Sequence, residues 1–154
     1  MSSSVDRVRA ALASHGHDGD LRRFPESTRT AAEAAAAIGC TVAQIAKSIV
    51  LRTGEQPILV VASGVNRVDQ AKVAALVGGP VKRADADWVR AVTGFAIGGV
   101  APLGHLTEPL VLIDRDLAAL DPIWAAAGSP NEVFQTSFTD LVRVSKGRIE
   151  DVKE

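Results

Sequence analysis

The sequence has few of the residues that mark secreted, zinc-binding or membrane-spanning proteins. Cys40 is the only cysteine among 154 residues, so an intramolecular disulfide is impossible and a thiolate zinc site within one chain is excluded. No apolar run approaches the roughly 20 residues of a membrane span, because Gly, Arg or Asp interrupts each one. The first 14 residues lack the apolar core of a secretory signal. We therefore expect a soluble, cytoplasmic protein.

The chain also has no large excess of positive or negative charge, with 17 Lys and Arg against 18 Asp and Glu. The net charge is -1 and the isoelectric point is near 6.3, so the chain lacks the strong positive field of proteins that coat nucleic acid. Aromatic residues make up only 4% of the chain, and none of them forms a stacking motif. Any contact with nucleic acid must therefore be local. Seven basic residues are candidates for such a local surface: Arg22, Arg23, Arg52, Arg67, Lys72, Lys82 and Arg83.

The common catalytic and cofactor motifs are missing as well. There is no Gly-x-x-x-x-Gly-Lys phosphate loop, no dinucleotide fingerprint and no Gly-x-Ser-x-Gly elbow. His15, His17 and His105 have no partners at metal-ligand spacing, and we expect them at the surface or in loops. Cys40 follows a helix-ending glycine, which favours a buried structural thiol. We predict no metal and no cofactor.

What is present favours a folded mixed domain. Hydrophobic residues make up 47% and charged residues 23% of a chain whose length suits one domain. Apolar residues at helical spacing are mixed with short β-branched runs joined by tight turns, which predicts an α+β fold with a mixed, largely antiparallel sheet. We expect residues 1–154 to form this single domain, with an N-terminal helix and loop over 1–24. The predicted helices cover 5–15, 31–38, 69–77, a run from 85 or 87 through 92, and 137–142, with a helical turn at 114–120; the predicted strands cover 21–24, 47–52, 57–62, 81–83, 109–113, 123–127, 132–136 and 147–152.

Lys47 interrupts an otherwise apolar row. If residues 45–51 are extended, side chains alternate between faces, so Lys47 points the same way as Ile45, Ile49 and Leu51. An ammonium on such a row is unfavourable unless it extends to water or reaches an anionic or polar partner in a cleft. This stretch alone is compatible with either arrangement.

Gly94–Gly104 is the second unusual stretch. It holds four glycines and one proline in eleven residues, between apolar positions. Such a loop can bend sharply while staying close to the core, and it can present backbone N–H groups to a carbonyl oxygen or an oxyanion. An ordinary glycine-rich turn between strands is the alternative.

Three segments in this order resemble a known family. Ile45–Val50, Ser63–Asp69 and Thr93–Pro102 together resemble the YbaK/EbsC family of aminoacyl-tRNA editing domains, which includes the editing insertion of bacterial prolyl-tRNA synthetases. The resemblance covers roughly residues 25–152. Each segment is a weak signal alone, and their order and spacing make the combination specific. A YbaK-like fold is therefore expected.

The resemblance implies an activity and its machinery. A trans-editing deacylase of this kind hydrolyses the ester that joins a wrong, small amino acid to the 3′-terminal adenosine of a tRNA. Lys47 matches the family's characteristic lysine, Gly98–Pro102 match its Gly-x-x-x-Pro loop, and a ribose hydroxyl assists the attacking water. The expected partners are the acceptor end of tRNA with its attached amino acid and, as a candidate, an aminoacyl-tRNA synthetase. The catalytic candidates are Lys47, Gly98, Gly99, Val100, Ala101 and Pro102.

Four further residues are substrate-binding candidates, each with a simpler structural explanation. Thr30 is near a family threonine but also suits the cap of the following helix, and Asp69 suits a helix cap equally well. Ser129 and Asn131 follow Gly128 in a turn, for which both residues are ordinary choices.

Two other functions remain alternatives. The domain is compatible with a non-catalytic module that binds a ligand or a partner on the same fold, and with a hydrolase of small acyl esters. The lysine and the glycine loop favour catalysis over simple binding. Competition by uncharged tRNA that weakens with salt separates editing from small-ester hydrolysis, because only polyanion binding releases counterions.

Overall fold

Several helices begin at residues whose side chains cap the first turn. The computed structural model describes residues 3–17, 21–25, 28 and 30–154. Thr30, Asp85 and Ser137 each accept a hydrogen bond from a backbone N–H in the first turn of the helix that follows. The predicted helices are confirmed, with modest differences at their ends. They are α1 (Ser4–Ser14), α2 (Ala31–Ile38), α3 (Gln70–Val77), α4 (Ala86–Thr93) and α5 (Phe138–Ser145).

The β-branched runs form strands where they were predicted. The strands predicted at 47–52 and 57–62 form a hairpin, with Thr53 paired to Gln56 across a two-residue turn. Short 3₁₀ turns precede the second strand at Val42–Gln44 and follow the fifth at Arg115–Ala119. The strands are β1 (Leu21–Arg23), β2 (Ile45–Thr53), β3 (Gln56–Ser63), β4 (Lys82–Arg83), β5 (Leu110–Asp114), β6 (Ile123–Ser129), β7 (Glu132–Thr136) and β8 (Arg148–Glu150).

These strands build one mixed sheet. Its order is β1-β7-β6-β2-β3-β5-β8, and β4 pairs with β2 beside that path. Within the described residues four pairings are antiparallel and three are parallel, the latter being β2 with β6, β3 with β5, and β5 with β8. The α+β class with a mixed sheet is therefore confirmed, with antiparallel pairs in a small majority.

Helices cover both faces of the sheet. On one face α1, α4 and α5 contribute to the largest apolar cluster, which includes Leu59, Val61, Ile113 and Phe134. On the other face α3 packs on a second cluster around Leu51, Ile58, Val60 and Leu112, while α2 packs on a third cluster around Ile45, Trp124 and Val133. The second face therefore carries two separate apolar clusters, and the space between them is the place where the functional candidates meet.

Candidate functional site

The sheet opens between β2 and β6. These strands pair only where Ile45–Ala46 lie beside Trp124–Ala125, and β4 covers the same edge of β2 again at Leu51–Arg52. Between those points the edge of β2 has no strand partner among the described residues. In an antiparallel pair, every second residue forms backbone hydrogen bonds with the partner strand, and the residues between them point their N–H and C=O groups the other way. Counted from the Thr53–Gln56 pair at the turn, Ser48 is one of the residues between, so its N–H and C=O point away from β3 and toward this gap. The opening therefore exposes main-chain donors and acceptors inside the fold.

A cavity of about 290 Å³ occupies this gap. Helix α2 bounds it on one side, and the glycine-rich loop and the β6–β7 turn close it on the other. That volume lies near the low end of small-molecule sites, which run from about 300 to 1,000 Å³. A small acyl group fits such a space. We call this space the main cavity, and the side chains and loop atoms around it come from Thr28, Thr30, Ala31, Ala34, Ile45–Ile49, Ile97, Gly98, Val100, Trp124–Ala126, Ser129, Pro130, Glu132 and Val133.

Lys47 lies between the apolar clusters packed beneath α2 and α3. Its neighbours on the same face, Ile45 and Ile49, belong to the α2 and α3 clusters respectively, as strand alternation predicts. The ammonium makes no hydrogen bond or ion pair with any residue that the structure describes. Burial lowers the pKa of Lys47, an effect that Asp114 opposes and Arg67 reinforces. Lys47 is therefore a partly buried cation in a cleft, with its hydrogen-bonding capacity unused.

Lys47 also borders a second, polar cleft of about 350 Å³. Arg67 and Arg83 line this cleft together with Lys47, and we call it the cationic cleft. The nearest acidic partner of Arg67 is Glu154 at 3.9 Å, and both side chains are exposed, so this ion pair contributes little to stability. Lys72, by contrast, is paired with Asp151 at 2.8 Å. Glu154 also lines the cleft, so its lining holds three basic side chains, Lys47, Arg67 and Arg83, and one carboxylate. The cationic cleft therefore keeps an excess of positive charge directly beside the main cavity.

The glycine-rich loop presents amides that the fold does not use. The Gly99 N–H donates to the Ala96 carbonyl at 2.9 Å, which closes a tight turn. The N–H groups of Gly98, Val100 and Ala101 donate to no group in the described part of the chain. Gly98 has a φ of +93°, a backbone conformation that favours glycine. Two of these unused amides, those of Gly98 and Val100, belong to residues that line the main cavity. A loop of this kind is a suitable receptor for a carbonyl oxygen or an oxyanion.

The structure brings most of the catalytic candidates together. Lys47, Gly98 and Val100 line the main cavity. Gly99 is buried behind them, where a Cβ would stand 2.7 Å from the Ser129 Cα atom. Ala101 and Pro102 are buried and do not line the main cavity; Pro102 borders a different cavity behind the loop. The catalytic roles of these six residues stay predictions.

The substrate-binding candidates divide into two pairs. Thr30 and Ser129 line the main cavity, and Thr30 also caps α2. Asn131 lies outside the lining and donates to the Phe24 carbonyl at 3.2 Å. Asp69 also lies outside it and accepts hydrogen bonds from two amides at the start of α3. The structure thus gives Asp69 and Asn131 structural contacts, and substrate binding by any of the four stays a prediction.

Several residues that line the main cavity were not among the predicted site residues. Trp124, Ala126 and Glu132 come from β6 and β7, and their place at the cavity depends on which strand lies beside β2. Glu132 accepts a hydrogen bond from the Ser129 hydroxyl at 3.0 Å. Strand pairing between segments some 80 residues apart leaves no local signal in the sequence, so these residues could not be identified before the sheet order was known.

His105 stands in a loop, as expected, and is partly buried there. Its Nε2 lies 2.6 Å from the Ala101 carbonyl oxygen, and its Nδ1 is buried with no hydrogen-bond partner. Burial lowers the pKa of His105, and the nearby Arg7 adds to this effect.

Two further properties concern the described residues as a whole. No three or more His, Cys, Asp or Glu side chains among them are grouped so as to hold a metal ion. None of the helices in the described ranges has both the length and the apolar character that a membrane span requires.

Cys40 is partly buried, and that burial raises the pKa of its thiol.

Comparison with known proteins identifies the family. The family model of the aminoacyl-tRNA editing domain matches residues 25–144. The chain belongs to the aminoacyl-tRNA editing domain family. At this level of description it is an editing domain whose substrate class is aminoacyl-tRNA.

Relatives of this editing domain extend over nearly the whole chain. A solved structure described as a proposed trans-editing enzyme for prolyl tRNA synthetase is 41% identical, with a TM-score of 0.93, and covers 100% of this chain and 99% of its own. The structure of hypothetical protein APE2540 is 28% identical, with a TM-score of 0.89, over 96% of this chain and 99% of its own. Uncharacterized protein YwhH of Bacillus subtilis (strain 168) is 31% identical over 95% of this chain and 94% of its own length. The predicted YbaK-like fold is confirmed by these matches.

Proposed function

We propose that the protein is a trans-editing deacylase that hydrolyses the ester between a small amino acid and the 3′-terminal adenosine of a mischarged tRNA. One observation carries the proposal: Lys47 is an unpaired, partly buried cation at the junction of the main cavity and the cationic cleft. An ester-linked aminoacyl-adenosine has a small acyl group at one end and phosphates at the other. The two adjoining spaces suit those two ends, and Lys47 stands between them.

The loop amides supply the second element of the mechanism. Water attack on the ester turns the carbonyl oxygen into an oxyanion, and preorganised N–H donors stabilise that charge more than they stabilise the ground state. The unused amides of Gly98 and Val100, which line the main cavity, fit this task. Lys47 contributes positive charge near the ester oxygen or the adjacent phosphate.

We assign the proton transfer to the ribose hydroxyl next to the ester. It accepts a proton from the attacking water and passes its own to the departing ribose oxygen, so the products are the free amino acid and a tRNA with an intact terminal ribose. Glu132 is the only Asp or Glu among the described residues that line the main cavity. Its carboxylate already accepts the Ser129 hydroxyl at 3.0 Å, which gives it a structural contact. Substrate-assisted proton transfer therefore requires no protein base, in keeping with the family resemblance.

Nucleic-acid recognition is assigned to the cationic cleft. Arg67 and Arg83 are exposed and border the cleft that adjoins Lys47. Phosphate contacts by these three cations make binding salt-dependent, with a slope of log K against log salt of about -2, at roughly -0.7 per single-strand phosphate. The trans-editing relative named for prolyl-tRNA synthetase supports that synthetase's tRNA as the first substrate to test.

The decisive experiment measures deacylation of a panel of mischarged tRNAs that carry small amino acids. Wild-type protein is compared with Lys47→Met, and Lys146→Met serves as the matched control because Lys146 is exposed and paired only with Glu108 at 3.4 Å. Loss of one preorganised charge contact typically lowers the rate by about 10² to 10³, so we expect that loss for Lys47→Met and none for Lys146→Met. Absence of hydrolysis above buffer for every tRNA in the panel would refute the proposal. Competition by uncharged tRNA that does not change with salt would favour a small-ester hydrolase instead.

A further inference from the structure

Arg7 of α1 forms hydrogen bonds with both ends of the glycine-rich loop. Its Nη2 donates to the Gly94 carbonyl at 2.8 Å and its Nε donates to the Gly104 carbonyl at 3.3 Å. The guanidinium also lies over the Phe95 ring, 5.0 Å from its centroid. A planar guanidinium offers several donors in fixed directions, which lets one side chain hold two carbonyls. Both ends of the loop are thus held by a residue from a different element.

His105 holds the middle of the same loop. Its Nε2 lies 2.6 Å from the Ala101 carbonyl oxygen, and because a carbonyl only accepts, Nε2 carries the hydrogen. The edge of the imidazole also meets Phe95, with ring centroids 5.0 Å apart at 77°. Nδ1 is buried without a partner, so this tautomer is neutral and has a single donor, which points at Ala101.

These contacts all lie outside the main cavity. Arg7, Phe95 and His105 are absent from its lining, whereas Gly98 and Val100 form part of it. We call these three residues the loop brace. The brace forms hydrogen bonds with the carbonyl oxygens of residues 94, 101 and 104. The amides proposed to bind the oxyanion lie between residues 94 and 104. The position of those amides therefore depends on a set of side chains outside the lining of the main cavity.

We propose that Arg7 and His105 are positioning residues for deacylation, acting by fixing the direction of the loop amides. This inference rests on the proposed function and deepens it. Arg7 lies outside residues 25–144, which match the family model, so that match assigns it no role. Because the amides act on the transition state and the cationic cleft holds the tRNA, weakening the brace lowers kcat and leaves KM nearly unchanged.

The test compares two substitutions of one residue in the full-length protein. His105→Phe keeps an aromatic ring beside Phe95 but removes the donor to Ala101, whereas His105→Gln keeps an N–H near the position of Nε2. We expect His105→Phe to lower kcat for deacylation of a mischarged tRNA 10- to 100-fold with KM changed less than twofold, and His105→Gln to recover most of that loss. Arg7→Met, which keeps the aliphatic stem and loses both donors, should lower kcat similarly. His15→Phe is the control, since within the described ranges the His15 ring makes no hydrogen bond or ring contact with the brace.

Different results identify different errors. Equal kcat losses in His105→Phe and His105→Gln, or a wild-type kcat in His105→Phe, would overturn the positioning role while leaving the deacylase function intact. A rise in KM with unchanged kcat would also overturn it, because the effect would then be on tRNA binding. A wild-type protein that hydrolyses no ester would refute the proposed function and this inference with it. Thermal unfolding of each variant confirms that the compared proteins are folded.

Discussion

Substitution of Gly99 by alanine tests how the loop is seated on the β6–β7 turn. A Cβ at this position would stand 2.7 Å from the Ser129 Cα, 2.8 Å from the Ser129 carbonyl carbon and 3.0 Å from the Pro130 nitrogen. Carbon atoms in optimal contact are about 3.5 to 4.0 Å apart, so an overlap approaching 1 Å must be relieved. All three neighbours are backbone atoms, which cannot rotate away, so the loop itself must shift.

The size of this shift sets the expected losses of stability and of deacylation rate in Gly99→Ala. Overpacking of this kind costs about 1 to 3 kcal/mol, and in a domain of this size each kcal/mol lowers the melting temperature by about 2 to 4 °C. A misplacement near 1 Å of catalytic groups can lower a rate by about 10²-fold. We therefore expect Gly99→Ala to lose deacylation about 100-fold, a larger effect than its modest loss of stability suggests.

Gly79→Ala is the matched control for this substitution. Its Cβ would meet only the Thr53 hydroxyl oxygen at 3.6 Å, which is ordinary contact. The control should keep the wild-type deacylation rate and the wild-type stability to within about 1 kcal/mol. Deacylation of a mischarged tRNA and urea unfolding would be measured for both variants. A Gly99→Ala protein with wild-type rate and stability would show that the loop does not rest on Ser129 as described.

Three further substitutions test separate parts of the molecule. Asp69→Ala should cost about 1 kcal/mol in urea unfolding through loss of the α3 cap, with deacylation unchanged; a large rate loss would instead support the predicted role of Asp69 in substrate binding. Glu132→Gln should keep its rate to within about tenfold, because loss of a true general base costs about 10² to 10⁴ and such a loss would assign the base to Glu132. Burial holds the pKa of His105 below its usual 6.5, so the unfolded chain binds the extra proton first and stability falls as pH drops below that value. His105→Gln should therefore unfold with a weaker pH dependence below pH 6.5 than the wild type, and identical slopes would contradict the buried neutral imidazole.

Local chemistry explains why the elements and Lys47 could be predicted. Thr30, Asp85 and Ser137 cap helices through bonds to amides only three residues away, so a short segment contains the whole interaction. The same holds for Lys47, whose face is set by alternation along its own strand. These features depend on neighbours within one turn or one strand, and single-sequence patterns report them directly.

Other parts of the site depend on long-range contacts. The main cavity exists because β6, rather than another strand, lies beside β2 and then separates from it after Ala46. The Asn131 side chain bonds to Phe24, 107 positions away, and Arg7 bonds to Gly104, 97 positions away. Such contacts follow from packing of the whole chain, and neither residue carries a local sign of its partner.

The class of fold, the helix caps, the apolar row broken by Lys47 and the glycine-rich loop can be read from the sequence, because residues close together in the chain set each of them. Three ordered segments of the sequence also indicated the editing family. The folded chain alone reveals that Lys47 lies between two clefts with no partner among the described residues, that Glu132 and Trp124 line the main cavity, and that His105 is partly buried behind the loop. Those facts depend on which distant segments share a surface, and that is settled by the packing of the complete sheet and its helices.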